Sequence, residues 1–168
     1  MSTKGFSVCL VLKGREVLLL LRRHTGVYDG RWSLPGGKAE ENESPRATAL
    51  RELKEEVGLD LGLGEMTFFS TVFVHEPSVE LPGKYFSGWC FAFMIEGRAW
   101  EIQNREPHKH ARAEFFPLDK LPNLMVPSAR SVIQNYRTGC LYSECFGEQG
   151  PSVFSGSVEA WGKISPSK

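Results

Sequence analysis

The chain has 168 residues, 41% of them hydrophobic and 24% charged, with 20 basic and 20 acidic residues and a net charge of +0. That length fits one domain with a sizeable core, and the composition excludes a disordered chain. The charge balance excludes a general attraction to a nucleic-acid backbone or an anionic membrane, so any phosphate-bearing partner must be held by a local site.

In chain order, "GFSVCLVLKGREVLLLLRR" predicts two strands, about residues 5–12 and 16–22, with Gly14 in the turn between them. The apolar run Val17 to Leu21 is flanked by charge and too short for a signal segment or a spanning helix, so a cytoplasmic chain without a membrane partner is expected. "RWSLP" predicts a third strand running into Gly36 and Gly37. Ser44 as N-cap, Pro45 in the first turn and Gly58 as C-cap then delimit a helix. "MTFFSTVFVHE" and "KYFSGWCFAFMIEG" predict long strands separated by a loop at 77–83. "EFFPLDKLP" predicts another strand and a turn, and "VPSARSVIQNYRTG" a second helix, with Pro127 near its start and Gly139 past its end. Interleaved strands and helices predict a mixed α/β class with one sheet covered by helices.

Residues 147–168, rich in Gly, Ser and Pro, are expected to form a loosely held tail behind a domain of residues 1–146. Truncation after 146 should then leave a folded domain, unless Phe154 and Trp161 pack back on it. The cysteines at 9, 90, 140 and 145 lack zinc-site spacing and read as free thiols, with a Cys140–Cys145 bridge as the alternative.

Within the first helix, Leu50, Leu53 and Val57 fall within roughly 60° of one another and face the sheet. Glu52, Glu55 and Glu56, at i, i+3 and i+4, cover about 100° on the other side. Converging like charges destabilise a helix, and the helix dipole disfavours anions in its last turn. A hard divalent cation reverses the sign of both effects. A solvated surface face is the alternative, and the surrounding spacing decides against it. Gly37, five residues, Glu43, seven residues and "RELKEEVGL" from Arg51 to Leu59 match G-x5-E-x7-R-E-U-x-E-E-x-G-U, with U a bulky aliphatic residue. At average residue frequencies that match arises at a given site roughly once in 10⁹.

That pattern is the signature of the Nudix hydrolases, which this sequence resembles, with weaker likeness over about residues 5–137. The resemblance implies an α/β/α sandwich with a mixed β-sheet between helices. It also implies metal-dependent hydrolysis of a diphosphate linkage in a nucleoside diphosphate derivative, with Mg²⁺ or Mn²⁺ as cofactor. Glu52, Glu55 and Glu56 match the family's metal-binding glutamates, with Glu52 also a candidate general base, and Gly36 would lend its carbonyl to a metal. Glu43 and Arg51 match a structural ion pair bracing loop and helix. Arg23 stands where a phosphate-contacting arginine can occur, an exposed strand-end charge being the alternative. A downstream acid is expected, but the usual D-E pair is replaced by Ala111 and Arg112; Glu106 is preferred over Glu114 for that role, and Glu76 and Glu80 lie on a loop within reach.

His24, His75, His108 and His110 show no metal spacing and are expected at the surface or in loops. Tyr28 or Trp32 is expected to stack on a base. The expected partner is a small nucleotide such as a modified nucleoside triphosphate, with no stable nucleic-acid partner, and the chain is expected to be a monomer or homodimer. The alternatives are a nucleoside diphosphate-sugar substrate of the ADP-ribose type and a non-catalytic nucleotide-sensing domain. Retention of all three helix carboxylates with Arg51 and Glu43 favours the enzyme.

Overall fold

The first two strands, β1 (Gly5–Lys13) and β2 (Glu16–Arg22), are apolar on both faces, the mark of strands covered on both sides. In the computed structural model, which describes residues 5–78, 83–97, 100–149 and 151–152, each alternate set of side chains meets a different helix. Val8, Leu10, Leu12, Val17 and Leu19 pack toward one helix; Cys9, Val11, Leu18 and Leu20 pack toward the other.

β3 (Trp32–Ser33) and β4 (Gly36–Lys38) follow, then α1 (Pro45–Val57), β5 (Thr67–Pro77), β6 (Tyr85–Ile95), β7 (His110–Pro117), α2 (Pro127–Thr138), β8 (Tyr142–Cys145) and β9 (Pro151–Ser152). The sheet runs β3-β2-β1-β6-β5-β8-β9, with β4 on β1 and β7 on β2. The β1–β6 and β5–β8 pairings are parallel and the others antiparallel, so the sheet is mixed. Ala49, Leu53 and Val57 of α1 close one core, and Ala129, Val132 and Ile133 of α2 close the other. The architecture is the expected α/β/α sandwich.

Both helices begin and end on the predicted residues. Ser44 accepts from the Ala47 N–H at 3.2 Å, and Gly58 ends α1 at φ 79°, a left-handed conformation that favours glycine. α2 starts at Pro127 and is closed by Gly139 at φ 68°.

Three features depart from the sequence expectation. β7 begins at His110 instead of near Glu114, because its first residues pair with the end of β2 across a register shift at Leu21 and Arg22. The buried face of α1 is centred on Ala49, Leu53, Val57 and also Glu56, with Leu50 only partly buried. β8 and β9, not anticipated, extend the sheet beyond β5, so residue 146 lies within the β8–β9 connection. Phe154, Trp161 and Glu80 lie outside the described residues. The four cysteines are buried and form no disulfide. Among the described residues, no helix is long and apolar enough to cross a membrane.

Candidate active site

The centre of the site is the junction of β4, the loop 39–44 and α1. Arg51 on α1 faces that loop and ties it down. Its Nε and Nη2 donate to Glu43 Oε1 and Oε2 at 2.9 and 3.0 Å, a bidentate pair, and Nη2 also donates to the Lys38 carbonyl at 3.0 Å. Its Nη1 donates to Glu52 Oε1 at 2.8 Å and Glu55 Oε2 at 3.0 Å. Glu43 accepts further bonds from the Glu40 N–H and the Thr48 hydroxyl.

Arg51 first of all, against the cost of burial, holds Glu43 down from 4.5 to about 2. Because the folded value lies below the unfolded one, this stabilisation is complete above about pH 4.5 and is lost as pH falls toward 2. Arg51→Ala leaves Glu43 partly buried without its partner. It is expected to cost about 2–3 kcal/mol of stability and to lower turnover as well. Thermal unfolding and kinetics of the variant check this; unchanged unfolding with reduced turnover would show that Arg51 is no brace.

The two glycines of β4 are dictated by close approach. At Gly36 (φ 148°) an added Cβ would lie 2.1 Å from the Ser7 carbonyl oxygen of β1, and at Gly37 one would lie 2.2 Å from Glu52 Oε1. The Glu52 carboxylate therefore packs directly on the Gly37 backbone. Burial, then the neighbouring Glu56, pushes the Glu52 carboxyl up to about 7, with Arg51 opposing both.

Glu56 is 5% exposed, so it belongs to the interior rather than to an outer acidic face. Its Oε2 accepts the Gly36 N–H at 2.8 Å, and its Oε1 lies 2.9 Å from Nε2 of the buried His110. With the ring proton on Nε2, His110 donates to this oxygen. Glu55, by contrast, is half exposed on the rim.

The segment before β7 is drawn to this point by the orphan carbonyls at the end of α1. The Arg105 N–H donates to the Glu56 carbonyl at 2.9 Å and the Gln103 N–H to that of Val57 at 3.2 Å. A turn then places Glu106 and His110 beside Glu56, with the Lys109 and His110 N–H groups both donating to the Glu106 carbonyl. Ligand atoms of Glu56, Glu106 and His110 lie within 4.8 Å of one another. Glu106 Oε1 pairs with Lys109 Nζ at 2.8 Å, while Glu106 Oε2 and His110 Nδ1 are buried without hydrogen-bond partners among the described residues. An orphaned carboxylate oxygen beside a second carboxylate and an imidazole is what a divalent cation satisfies, so the donor set fits such an ion.

The other sequence-derived candidates fall elsewhere. Glu114 pairs with Arg112 on β7 and is not in the three-residue cluster. Arg23 is exposed, its N–H donating to the Lys109 carbonyl. It is the preceding Arg22 that lines a cavity of about 170 Å³ next to Gly36, Gly37 and Lys38. Trp32 is in the core, edge-on to Phe116 at 4.6 Å, whereas Tyr28 lines the cavity.

Glu76 lines that cavity as well. It is buried at the start of α2, where its carboxylate accepts the Ser128 N–H at 2.9 Å and the Ser128 hydroxyl at 3.2 Å. Desolvation raises its pKa, with Ser128 opposing. Burial and, next, the charge of Glu76 raise the Tyr28 phenol. The sequence reading missed His110 and Arg22; Glu76, expected within reach on a loop, does line the cavity but lies in β5. The pairing of Arg22 with His110 across β2 and β7 is the signal that reveals the histidine, and it exists only once the strands are matched.

The NUDIX domain family model matches residues 1–136. The chain is 31% identical over 131 residues to an RNA pyrophosphohydrolase of Bartonella henselae, covering 71% of this chain and 75% of that protein. It is 51% identical over only 41 residues to an 8-oxo-dGTP diphosphatase of Proteus vulgaris, 24% of this chain and 34% of that one. Among solved structures, a MutT NUDIX hydrolase from Burkholderia pseudomallei superimposes with a TM-score of 0.66 at 22% identity, covering 80% of this chain and 98% of that one. By its matched domain, its relatives and its fold, this chain belongs to the NUDIX family of hydrolases.

Proposed function

We propose that the chain cleaves a diphosphate linkage in a small nucleotide, a nucleoside triphosphate or a modified one, with the help of Mg²⁺ or Mn²⁺. The observation that carries this reading is the cluster of buried Glu56 and His110 with half-buried Glu106, beside Glu52 and the Gly36–Gly37 backbone, adjoining a cavity that shares those glycines. Glu52, Glu56 and Glu106, with His110 and the Gly36 carbonyl, are the groups that would hold the ion, and Glu55 stands at the rim. A bound divalent ion supplies charge neutralisation of the diphosphate and a more acidic water.

The chain's own residues divide the remaining work. Arg51 fixes the loop and the orientation of Glu52. Glu56 has both oxygens engaged, on Gly36 and on His110. Glu52, which lies against Gly37 and takes one bond from Arg51 on Oε1, is the carboxylate assigned to accept a proton from the attacking water. Arg22 and Lys38 line the cavity next to the glycines and suit phosphate oxygens.

A nucleotide is favoured over an RNA end because the chain, with net charge +0, has no overall positive field to attract a phosphate backbone. A 5′-triphosphorylated RNA oligomer belongs in the substrate panel as the competing case. Turnover is expected with Mg²⁺ or Mn²⁺ and is expected to vanish in excess EDTA. Either ion is also expected to raise the unfolding temperature of metal-free protein, a readout independent of substrate. Full turnover in EDTA, or no thermal shift at millimolar metal, would contradict the assignment.

A further inference from the structure

We infer that Lys109 is a further phosphate-contacting residue of this site. Its ammonium, set on the rim of the Glu56, Glu106 and His110 cluster by its pair with Glu106, holds an oxygen of the diphosphate. The inference rests on the hydrolase reading above and adds a residue to it.

The backbone fixes where Lys109 starts. In the turn that leads into β7 its N–H donates to the Glu106 carbonyl at 2.9 Å, and its own carbonyl accepts the Arg23 N–H at 2.8 Å. From there Nζ reaches Glu106 Oε1 at 2.8 Å while the side chain stays half exposed. The Glu106 bond first, against burial and then helped by the charges of Glu106, Glu52 and Glu56, raises the pKa of the ammonium. Lys109 therefore stays charged at neutral pH, within the field of all these carboxylates.

An ammonium has three donors, and among the described residues Lys109 spends one. The neighbouring cation on α1 is committed elsewhere. Arg51 uses Nε, Nη1 and Nη2 on Glu43, Glu52, Glu55 and the Lys38 carbonyl. Charge decides what the spare donors of Lys109 do. Glu52, Glu56 and Glu106 each carry a negative charge when ionised. A divalent cation neutralises two of them, and an arriving diphosphate brings more. Lys109 supplies a further cation at the half-exposed edge of the cluster. Its pair with Glu106 contributes little by itself, as exposed pairs do. A diphosphate oxygen gives the ammonium a second charge-assisted partner.

The test is calorimetric and needs no turnover. Mn²⁺ alone is titrated into the full chain; methylenediphosphonate, a diphosphate analogue that is not hydrolysed, is then titrated at saturating Mn²⁺. Lys109→Met keeps the apolar stem and removes the charge. It is expected to weaken the diphosphonate about tenfold. Mn²⁺ alone should bind it as tightly as wild type or more tightly, because a repelling cation has gone. Lys109→Arg keeps the charge and should stay within about threefold of wild type for both ligands. In turnover of a nucleoside triphosphate, Lys109→Met should raise KM about tenfold and lower kcat less. Lys109→Gln, polar and uncharged, gives the same comparison if Lys109→Met does not fold.

If Lys109 only orients Glu106, Mn²⁺ alone will bind the uncharged variant severalfold more weakly, and the diphosphonate at saturating Mn²⁺ will lose nothing. That result overturns the inference and leaves the hydrolase reading intact. A loss in Lys109→Arg equal to that in Lys109→Met overturns it too, since the charge would not be the cause. Wild-type protein that takes up neither Mn²⁺ nor the diphosphonate overturns the inference together with the reading it rests on.

Discussion

Glu56→Gln is expected to lower turnover by about 10²-fold or more, on the order of 3 kcal/mol of transition-state stabilisation. The side chain keeps its shape but loses the charge that both a cation and His110 address. Its Oε2 bond from the Gly36 N–H, charge-assisted at 2.8 Å in the native protein, becomes a neutral one. Relief of repulsion from Glu52 acts in the opposite direction, so the net cost to metal-free stability is expected to be about 1 kcal/mol. The rise in unfolding temperature on adding Mg²⁺ should shrink together with turnover. Glu40→Gln is the control, since Glu40 is 72% exposed and reaches Arg51 only at 4.0 Å. Kinetics and thermal unfolding of both variants, with and without metal, provide the check. Near-normal turnover for Glu56→Gln with loss in Glu40→Gln would place the metal face elsewhere.

The paired glycines of β4 should respond oppositely to the same substitution. Gly36→Ala drives a methyl group into the backbone of Ser7 and Val8, with contacts of 2.1 and 2.7 Å, at a φ of 148°. Backbone in a parallel and antiparallel ladder does not step aside, so a loss on the order of 3 kcal/mol is expected. For a chain of this size that is roughly a 6–12 °C fall in unfolding temperature. Gly37→Ala meets only the Glu52 carboxylate, the flexible end of a side chain. Its cost to stability is expected to stay below about 1 kcal/mol, since the carboxylate can move. Displacing Glu52 should nevertheless lower turnover about tenfold or more. Thermal melts and kcat for the two variants separate the cases. Equal melting temperatures would contradict the packing of β4 on β1.

Much of this architecture is legible in the sequence because the signals are local. Ser44, Pro45 and Gly58 delimit α1, and Pro127 and Gly139 delimit α2, since caps act within a turn of the residue that carries them. The spacing from Gly37 to Leu59 brings Glu43, Arg51, Glu52 and the β4 glycines together, again over a short stretch of chain.

The remainder depends on contacts distant in sequence. Helical periodicity alone puts Glu56 with Glu52 and Glu55 on an outer face and predicts that its loss relieves repulsion. Its burial follows from His110, 54 residues away, and from Gly36. His110 shares no spacing with another ligand and becomes visible only through β2–β7 pairing. The same holds for Arg22 against Arg23, where strand register decides which of two adjacent arginines meets the cavity. Trp32 and Tyr28 look alike as candidate stacking residues, and packing on Phe116 removes the first into the core.

The central claim is a metal-dependent attack on a diphosphate linkage organised by Glu52, Glu56, Glu106 and His110. It is tested most directly by incubating the protein with nucleoside triphosphates, ADP-ribose and 5′-triphosphorylated RNA in the presence of Mg²⁺ or Mn²⁺ and identifying the products. The account predicts cleavage of a diphosphate linkage in at least one nucleoside triphosphate, abolished by EDTA and strongly reduced in Glu56→Gln. Absence of cleavage on every nucleotide, or cleavage indifferent to both EDTA and Glu56→Gln, would contradict it.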